Sequence, residues 1–167
     1  MTESVLVTGS SRGIGRAIAL RLAQAGHDLV LHCRNGRAEA DAVQVEIEAL
    51  GRKARVLQFD VADRAACKEI LEADVEQHGA YYGVVLNAGL TRDGAFPALS
   101  EDDWDVVMRT NLDGFYNVLH PVMMPMIRRR AAAPELSGIR VGWRCTTVGP
   151  CSTRLIFRRF ISSTVAG

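Results

Sequence analysis

Short apolar runs alternate along this chain with longer stretches in which apolar residues recur every three or four positions. The runs are typical of buried strands, and the longer pattern is typical of helices with one buried face. The predicted strands cover residues 5–7, 28–32, 55–59 and 82–86. The predicted helices cover residues 14–25, 38–50 and 64–78, and a longer helix begins after Ser100. This alternation predicts an α/β fold, a doubly wound parallel sheet with helices on both faces.

Individual residues predict how these helices begin, end and face the sheet. Asp63 and Ser100 are suited to cap the helices that follow them. Pro121 and Pro125 are expected to kink the long helix or to end it in steps. The residues expected on the buried face of the first helix are Ile14, Ala17, Ile18, Leu22 and Ala25.

A glycine-rich turn joins the first predicted strand to the first predicted helix. Its spacing is G-x-x-x-G-x-G, with glycines at 9, 13 and 15. Gly9 lets the chain leave the strand sharply, Gly13 lets backbone approach a phosphate, and Gly15 lets the helix pack close to the sheet. The helix start directs free N–H groups and the positive end of its dipole at the turn, which suits a pyrophosphate. A glycine-rich turn without a ligand is the alternative interpretation.

Arginines near the turn indicate which dinucleotide it would bind. An acid after the second strand would bind the ribose of NAD, whereas an arginine suits the 2′-phosphate of NADP. Residues 31–37 contain no acid but contain Arg34 and Arg37, and Arg12 lies in the turn itself. This pattern favours NADP, with a solvated loop arginine as the alternative for Arg34.

Composition argues against several other classes of protein. The apolar fraction of 48% and the net charge of +1 are ordinary for a globular domain and give no bias towards nucleic acid or membranes. The chain has no apolar run of membrane-spanning length and no signal-peptide pattern, so a cytoplasmic protein is expected. The four cysteines lack C-x-x-C spacing, which favours free thiols over disulfides or a metal site.

The turn resembles the T-G-x-x-x-G-x-G loop of the short-chain dehydrogenase/reductase family, and residues 8–19 are similar to its 3-oxoacyl-acyl-carrier-protein reductase branch. The similarity extends over residues 4–130. It implies an NADPH-dependent reduction of a β-keto thioester, carried on acyl carrier protein, in fatty-acid synthesis. The cofactor-binding residues that the turn and the resemblance imply are Gly9, Ser10, Arg12, Gly13, Ile14, Gly15, Arg34, Asp60, Val61, Asn87, Ala88 and Gly89.

The later motifs of the family fall at two further strand ends and in the long helix. Asp60-Val61 matches an aspartate–hydrophobe pair whose carboxylate accepts from the adenine amino group. The run 87–89 matches the N-A-G motif, although Leu86 stands where the family often has a second asparagine. By the same resemblance, Asn111 sits at a local helix distortion and holds a water for proton relay, which makes it the catalytic candidate.

The catalytic pair of the family does not occur in this sequence. In the family a tyrosine supplies the proton, and a lysine four residues later lowers the pKa of that tyrosine. The residues four positions after Tyr81, Tyr82 and Tyr116 are Val85, Leu86 and His120. When the tail is aligned by its ending, Ile161 falls at the tyrosine and Val165 at the lysine. Catalysis is therefore expected to be impaired.

Residues 131–167 differ from the rest of the chain in charge, with five arginines, one acidic residue and no lysine. We expect residues 1–130 to form an NADP-binding Rossmann-like domain that is incomplete at its C-terminal side. Residues 131–167 are expected to form an arginine-rich tail with one further strand at 138–148. The apolar helix at 104–126 could support a homo-oligomer.

Three hypotheses follow from the sequence. The chain is an NADPH-dependent reductase with impaired catalysis, or it is a dinucleotide-binding protein without catalysis. The third hypothesis is a truncated product, or one whose reading frame changes after about residue 130. The loss of lysine and the gain of arginine beyond that point motivate it.

Overall fold

The computed structural model describes residues 3–92, 95–131 and 155–156. The strands are β1 (Ser4–Val7), β2 (Asp28–Cys33), β3 (Ala54–Gln58), β4 (Gly83–Leu86) and β5 (Leu155–Ile156). The helices are α1 (Gly13–Gln24), α2 (Arg37–Ala49), α3 (Arg64–His78), α4 (Glu101–Met108) and α5 (Gly114–Ala131). A 3-10 helix covers Phe96–Ala98, and a π-helical segment at Arg109–Asp113 joins α4 to α5.

The sheet has the order β3-β2-β1-β4, and these four strands are parallel. Side chains that alternate along the strands contribute to two separate apolar clusters. Leu6 belongs to the cluster that includes residues of α3 and α5, and Leu29 to the cluster that includes residues of α1 and α2. The predicted doubly wound sheet with helices on both faces is therefore confirmed. The strand order reverses between β1 and β4, which is where ligands bind in such sheets.

The remaining strand, β5, pairs with β4 in the antiparallel direction, so that Val85 lies opposite Ile156. The predicted fifth strand at 138–148 lies outside the described residues, as does most of the tail at 132–167. The antiparallel pairing of residues 155–156 had no counterpart in the sequence-based prediction.

The prediction for the buried face of α1 is partly wrong. The fully buried residues are Gly15, Ala19 and Ala23, whereas Ile14 is 48% exposed. Ala17 and Ala25 are also exposed, and Ile18 and Leu22 are partly buried. The physical reason is close approach, because only small side chains fit where α1 lies directly on the sheet.

The long helix does not end at its prolines. Pro121 and Pro125 both lie inside α5, which continues to Ala131. A proline removes a backbone donor and normally interrupts a helix. Here α5 packs on α3 and buries Val118 and Val122 completely. Tertiary packing of this kind stabilises a helix more than local propensity does.

Candidate cofactor site

The hydroxyl of Thr8 joins the end of β1 to the end of β4. Thr8 Oγ1 accepts hydrogen bonds from the backbone N–H groups of Asn87 and Ala88, both at 2.9 Å. It donates to the carbonyl of Val85 at 3.3 Å. These three bonds use the full capacity of a hydroxyl group. The glycine turn and the N-A-G motif are therefore held at one edge of the sheet.

The side chain of Asn87 is directed at the turn. Its Nδ2 donates to the carbonyl oxygens of Thr8 at 3.0 Å and Gly9 at 3.2 Å. Gly15 lies against the same group, because a Cβ there would overlap the Gly9 carbonyl and lie 2.5 Å from Asn87 Nδ2. The close packing that we predicted for Gly15 is confirmed.

The outer surface of the turn faces open space. Gly13 has φ +56°, and a Cβ at this position would meet no atom of the described residues within 4 Å. Arg12, the N-cap of α1, makes no side-chain cap bond, and the first turn of α1 contains no acidic residue. The N–H groups at the start of α1 are thus not capped by a side chain and can bind an anion. Arg12 and Ile14 are both exposed beside them.

The inner surface of the turn is held by β2. Ser10 is completely buried, and its Oγ accepts from the backbone N–H of His32 at 2.9 Å. Ser10 N donates to the carbonyl of His32 at 3.0 Å. In this conformation Ser10 supports the turn from inside rather than facing the open side. Its role as a cofactor-binding residue stays a prediction.

The ends of β2 and β3 bring Arg34 and Asp60 together. Arg34 Nη1 lies 3.7 Å from Asp60 Oδ2, and both side chains are about half exposed. Asp60 Oδ1 accepts from Ala62 N at 2.9 Å, and Gln58 Nε2 donates to the Arg34 carbonyl at 3.0 Å. An exposed ion pair of this length contributes about 0–1 kcal/mol, so Arg34 can exchange Asp60 for a stronger anion.

Asn111 lies in the π-helical segment Arg109–Asp113. The family resemblance implies a helix distortion at this residue, and π-helical turns are frequent at functional sites. Asn111 Oδ1 accepts from Leu90 N at 3.0 Å, and Nδ2 donates to Leu90 O at 2.9 Å. The side chain therefore holds the segment that follows the N-A-G motif. Its role in holding a water stays a prediction.

A small cavity lies between this segment and the sheet edge. It is lined by Thr8, Val61, Leu86, Ala88, Thr110, Asn111, Gly114, Phe115 and Val118. The buried Thr110 Oγ1 has no hydrogen-bond partner among the described residues. Val61 packs directly on Gly114, where a Cβ would lie 2.9 Å from Val61 Cγ2. The predicted residues Val61, Ala88 and Asn111 thus surround one space.

Cys33 and Cys67 are the two cysteines that the structure describes. Both are free thiols and buried, whereas Cys145 and Cys151 lie outside the described residues. Burial raises the pKa of Cys67 to about 12, so this thiol does not form a thiolate at neutral pH. In the part of the chain that the structure describes, no three His, Cys, Asp or Glu residues are grouped to hold a metal ion. No helix among those residues is long and apolar enough to cross a membrane.

Two residues of the site were not assigned a role from the sequence. Thr8 joins β1 to β4, and His32 lies buried beneath the turn. Thr8 belongs to the turn motif, so its position after the strand is a signal that could have identified it. For His32 the sequence contains no such signal, since its partners are backbone groups that lie far away along the chain.

The family model and the sequence relatives agree on one family. A model of the short chain dehydrogenase family matches residues 3–133. The 3-oxoacyl-acyl-carrier-protein reductase FabG of Aggregatibacter actinomycetemcomitans is 70% identical over 132 residues, which cover 79% of this chain and 54% of that protein. The enzyme of the same name from Staphylococcus aureus strain Mu50 is 41% identical over 80% of this chain and 54% of its own. The chain thus spans about half the length of these relatives.

Solved structures agree with the sequence relatives. A gluconate 5-dehydrogenase from Burkholderia cenocepacia, in complex with NADP and tartrate, superposes with a TM-score of 0.71 at 37% identity. That match covers 76% of this chain and 49% of the other. An alcohol dehydrogenase from Thermococcus sibiricus, complexed with 5-hydroxy-NADP, has a TM-score of 0.72 at 29% identity over 77% of this chain and 55% of the other.

Proposed function

The chain belongs to the short-chain dehydrogenase family, and on this basis we propose that residues 1–130 form the NADP-binding domain of an oxidoreductase that resembles 3-oxoacyl-acyl-carrier-protein reductase. Residues 131–167 form an arginine-rich tail in this proposal, with residues 155–156 paired to β4. The observation that carries it is the backbone of Gly13, which faces open space at the uncapped start of α1. Both solved relatives described above were obtained with an NADP-type ligand.

The residues of the site fit such a cofactor. The backbone of Gly13, Ile14 and Gly15 would hold the pyrophosphate, because the start of α1 favours an anion. The exposed guanidinium groups of Arg12 and Arg34 would hold the 2′-phosphate. Asp60 would accept from the adenine amino group, and the run 87–89 would lie under the nicotinamide half. When bound, NADPH would supply the hydride.

The chain lacks the tyrosine and lysine pair with which the family supplies the proton of the reaction. The sequence contains no Tyr-x-x-x-Lys. Tyr81 is buried, and its hydroxyl donates to Asp74 Oδ2 at 2.6 Å. Burial, together with this bond to a carboxylate, raises the pKa of Tyr81 above its usual range, so this phenol keeps its proton. We therefore propose that the chain binds NADPH and reduces a β-keto thioester at a negligible rate.

The test measures binding and turnover separately. The purified full chain is mixed with NADPH, and cofactor fluorescence reports binding. Absorbance after addition of an acetoacetyl thioester reports turnover, and NADH serves as the control ligand without a 2′-phosphate. Binding of NADPH in preference to NADH, without turnover, supports the proposal. Turnover at an ordinary enzymatic rate refutes the impairment, and no binding refutes the cofactor site.

A second candidate is a product whose reading frame changes after about residue 130. The 70% identity to the Aggregatibacter reductase extends over 132 residues, and the family model matches to residue 133, beyond which the arginine-rich composition begins. The coding DNA provides the test. A Tyr-x-x-x-Lys segment in another frame beyond this point supports the frame change, and its absence from all frames refutes it.

The proposed setting is the cytoplasm, with acyl-carrier-bound substrate as the partner and a homo-oligomer built on the long helix. Large apolar side chains are exposed along α4, the π-helical segment and α5, at Trp104, Leu112, Tyr116, Met124 and Ile127. An exposed apolar patch of this kind is typical of a protein–protein interface.

A further inference from the structure

His32 lies at the carboxyl end of β2, directly beneath the glycine turn, and is 2% exposed. Its Nδ1 accepts a hydrogen bond from the backbone N–H of Gly9 at 3.0 Å. Its Nε2 lies 3.0 Å from the carbonyl oxygen of Phe59. A carbonyl can only accept and an amide N–H can only donate, so the proton resides on Nε2 and the ring is neutral.

The ring therefore connects two parts of the site that are remote in sequence. Gly9 begins the phosphate-binding turn, and Phe59 directly precedes Asp60, the residue assigned to adenine. The rings of His32 and Phe59 are also in contact, with centroids 4.2 Å apart. The backbone of His32 is bonded to Ser10 in both directions. No other described side chain bonds to both the turn and the end of β3.

The charged groups near the ring do not keep it protonated at neutral pH. Asp60 is the charged group that acts on the ring, and Arg34 partly neutralises it at 3.7 Å. The other groups that face the ring are the amide of Gly9 and the carbonyl of Phe59, both uncharged. Burial lowers the pKa of His32 to about 4 against the opposing effects of the Phe59 carbonyl and Asp60.

We propose that His32 is a positioning residue for the dinucleotide, which sets the distance between the phosphate-binding turn and the adenine-binding end of β3. This rests on the proposed cofactor site. A ligand that spans both parts depends on their separation, whereas a ligand that touches only the adenine end does not. The two kinds of ligand thus distinguish positioning from general support of the fold.

The substitution H32L removes both ring bonds and leaves an apolar side chain in the buried position. Without these bonds the turn and the end of β3 are no longer held at one separation, so we expect NADPH to bind about tenfold or more weakly. H32N retains an oxygen near the position of Nδ1, which can accept from Gly9, and should recover part of the affinity. H27N, at the residue directly before the opposite end of β2, is the matched control and should leave affinity unchanged.

The experiment compares NADPH with adenosine, which carries neither the pyrophosphate nor the 2′-phosphate and reaches only the Asp60 end. Titrations use the full chain, with circular dichroism to verify that each variant is folded. Positioning predicts that H32L weakens NADPH binding and leaves binding of the fragment within about twofold of the wild-type value.

The other outcomes separate the two hypotheses. Equal losses for NADPH and the fragment in folded H32L would show a general structural role and overturn the positioning role, as would unchanged NADPH affinity. Wild-type protein that binds neither ligand would instead refute the cofactor site itself. If H32N were as stable as the wild type but bound NADPH as weakly as H32L, this would also contradict the proposal.

Discussion

Three glycines in one turn meet three different constraints at the residue scale. Gly9 has φ +64°, and a Cβ there would lie 3.0 Å from Ala88 Cα. Gly15 has no space for a side chain at all, since Asn87 and the Gly9 carbonyl occupy it. Gly13 has ample space but a positive φ. A substitution there would therefore strain the backbone and would interfere with the proposed ligand. The three positions should therefore respond differently to the same substitution.

We expect G13A to lower the free energy of unfolding by about 1 kcal/mol, because an L-residue at positive φ is strained. The new methyl group would also project towards the proposed pyrophosphate, so NADPH affinity should fall at least about tenfold. G26A is the matched control, since Gly26 also has positive φ and open space but lies at the other end of α1. Urea unfolding and NADPH titration measure the two effects. Equal NADPH affinity in both variants would contradict the assigned role of Gly13.

Thr8 provides a prediction on stability. T8V keeps the shape of the side chain but leaves the N–H groups of Asn87 and Ala88 without an acceptor. An unsatisfied buried donor costs about 1–3 kcal/mol, so the free energy of unfolding should fall by a few kcal/mol. T8S keeps the hydroxyl and should lose much less. The argument fails if urea unfolding finds T8S and T8V equally destabilised.

Elements are connected by a buried ionic network at the base of the sheet. Arg55 on β3 binds both carboxylate oxygens of Asp74 on α3 at 2.7 Å, and Tyr81 donates to the same carboxylate before β4 begins. Burial opposes ionisation of Asp74, but the bonds from Arg55 and Tyr81 outweigh it and keep the pKa of Asp74 below its usual value. The network joins α3 to β3 and to the segment that precedes β4.

R55M would leave the Asp74 carboxylate buried without its cation. Breaking a buried pair in this way costs about 3–5 kcal/mol, so a large loss of unfolding free energy is expected. R37M removes an exposed pair with Asp41 on α2 and should cost at most about 1 kcal/mol. Chemical denaturation of both variants tests the difference. A similar small loss in the two would show that Asp74 is not buried as described.

For the whole molecule, the buried ring of His32 makes stability depend on pH. The folded-state pKa of about 4 lies below the unfolded value of 6.5, so the unfolded chain binds more protons between these values. Protons therefore favour unfolding in this range. The contribution of the neutral His32 ring to the free energy of unfolding is fully present above pH 6.5 and is lost as pH falls through about 4.

We expect the free energy of unfolding to decrease by about 3 kcal/mol between pH 7 and pH 4 from this ring alone. H32N lacks the titrating ring, and its stability should decrease less over the same range. Urea unfolding at several pH values measures both proteins. Parallel curves for the wild type and H32N would show that the ring does not titrate as described.

The exposed face of the long helix gives a prediction about assembly. A homo-oligomer through residues 104–126 would bury Met124, which is 54% exposed. M124D should therefore shift the wild-type oligomer to a monomer in size-exclusion chromatography with light scattering. V45D introduces the same charge at an exposed apolar position of α2 and should not change the mass. A monomeric wild-type protein would refute this interface.

Local patterns predicted most elements of this fold. Helix α3 runs over residues 64–78 as predicted, and Asp63 caps it through bonds to Ala65 and Ala66. The four parallel strands were predicted to within about one residue at each end. These features depend on neighbours in sequence, namely apolar periodicity and a side chain that reaches the next few N–H groups.

The candidate site was predicted as a set of strand ends but not as a geometry. Parallel strands bring their carboxyl ends to one edge, so the turn, Asp60 and the N-A-G motif were expected together. The ion pair of Arg34 with Asp60 was not predicted, because two loops must meet to form it. Asn111 was placed by resemblance, and its bonds to Leu90 emerged only from the structure.

The sequence by itself determined the order of the strands and helices along the chain and the position of the glycine turn. These features depend on the apolar pattern of neighbouring residues and on the backbone freedom of glycine. Only the tertiary structure decided which face of α1 is buried, how α5 continues through Pro121 and Pro125, and why His32 is neutral. Each of these depends on how closely distant segments approach. Close approach selects Gly15 and Ala19 against the sheet, and it gives the imidazole its two backbone partners.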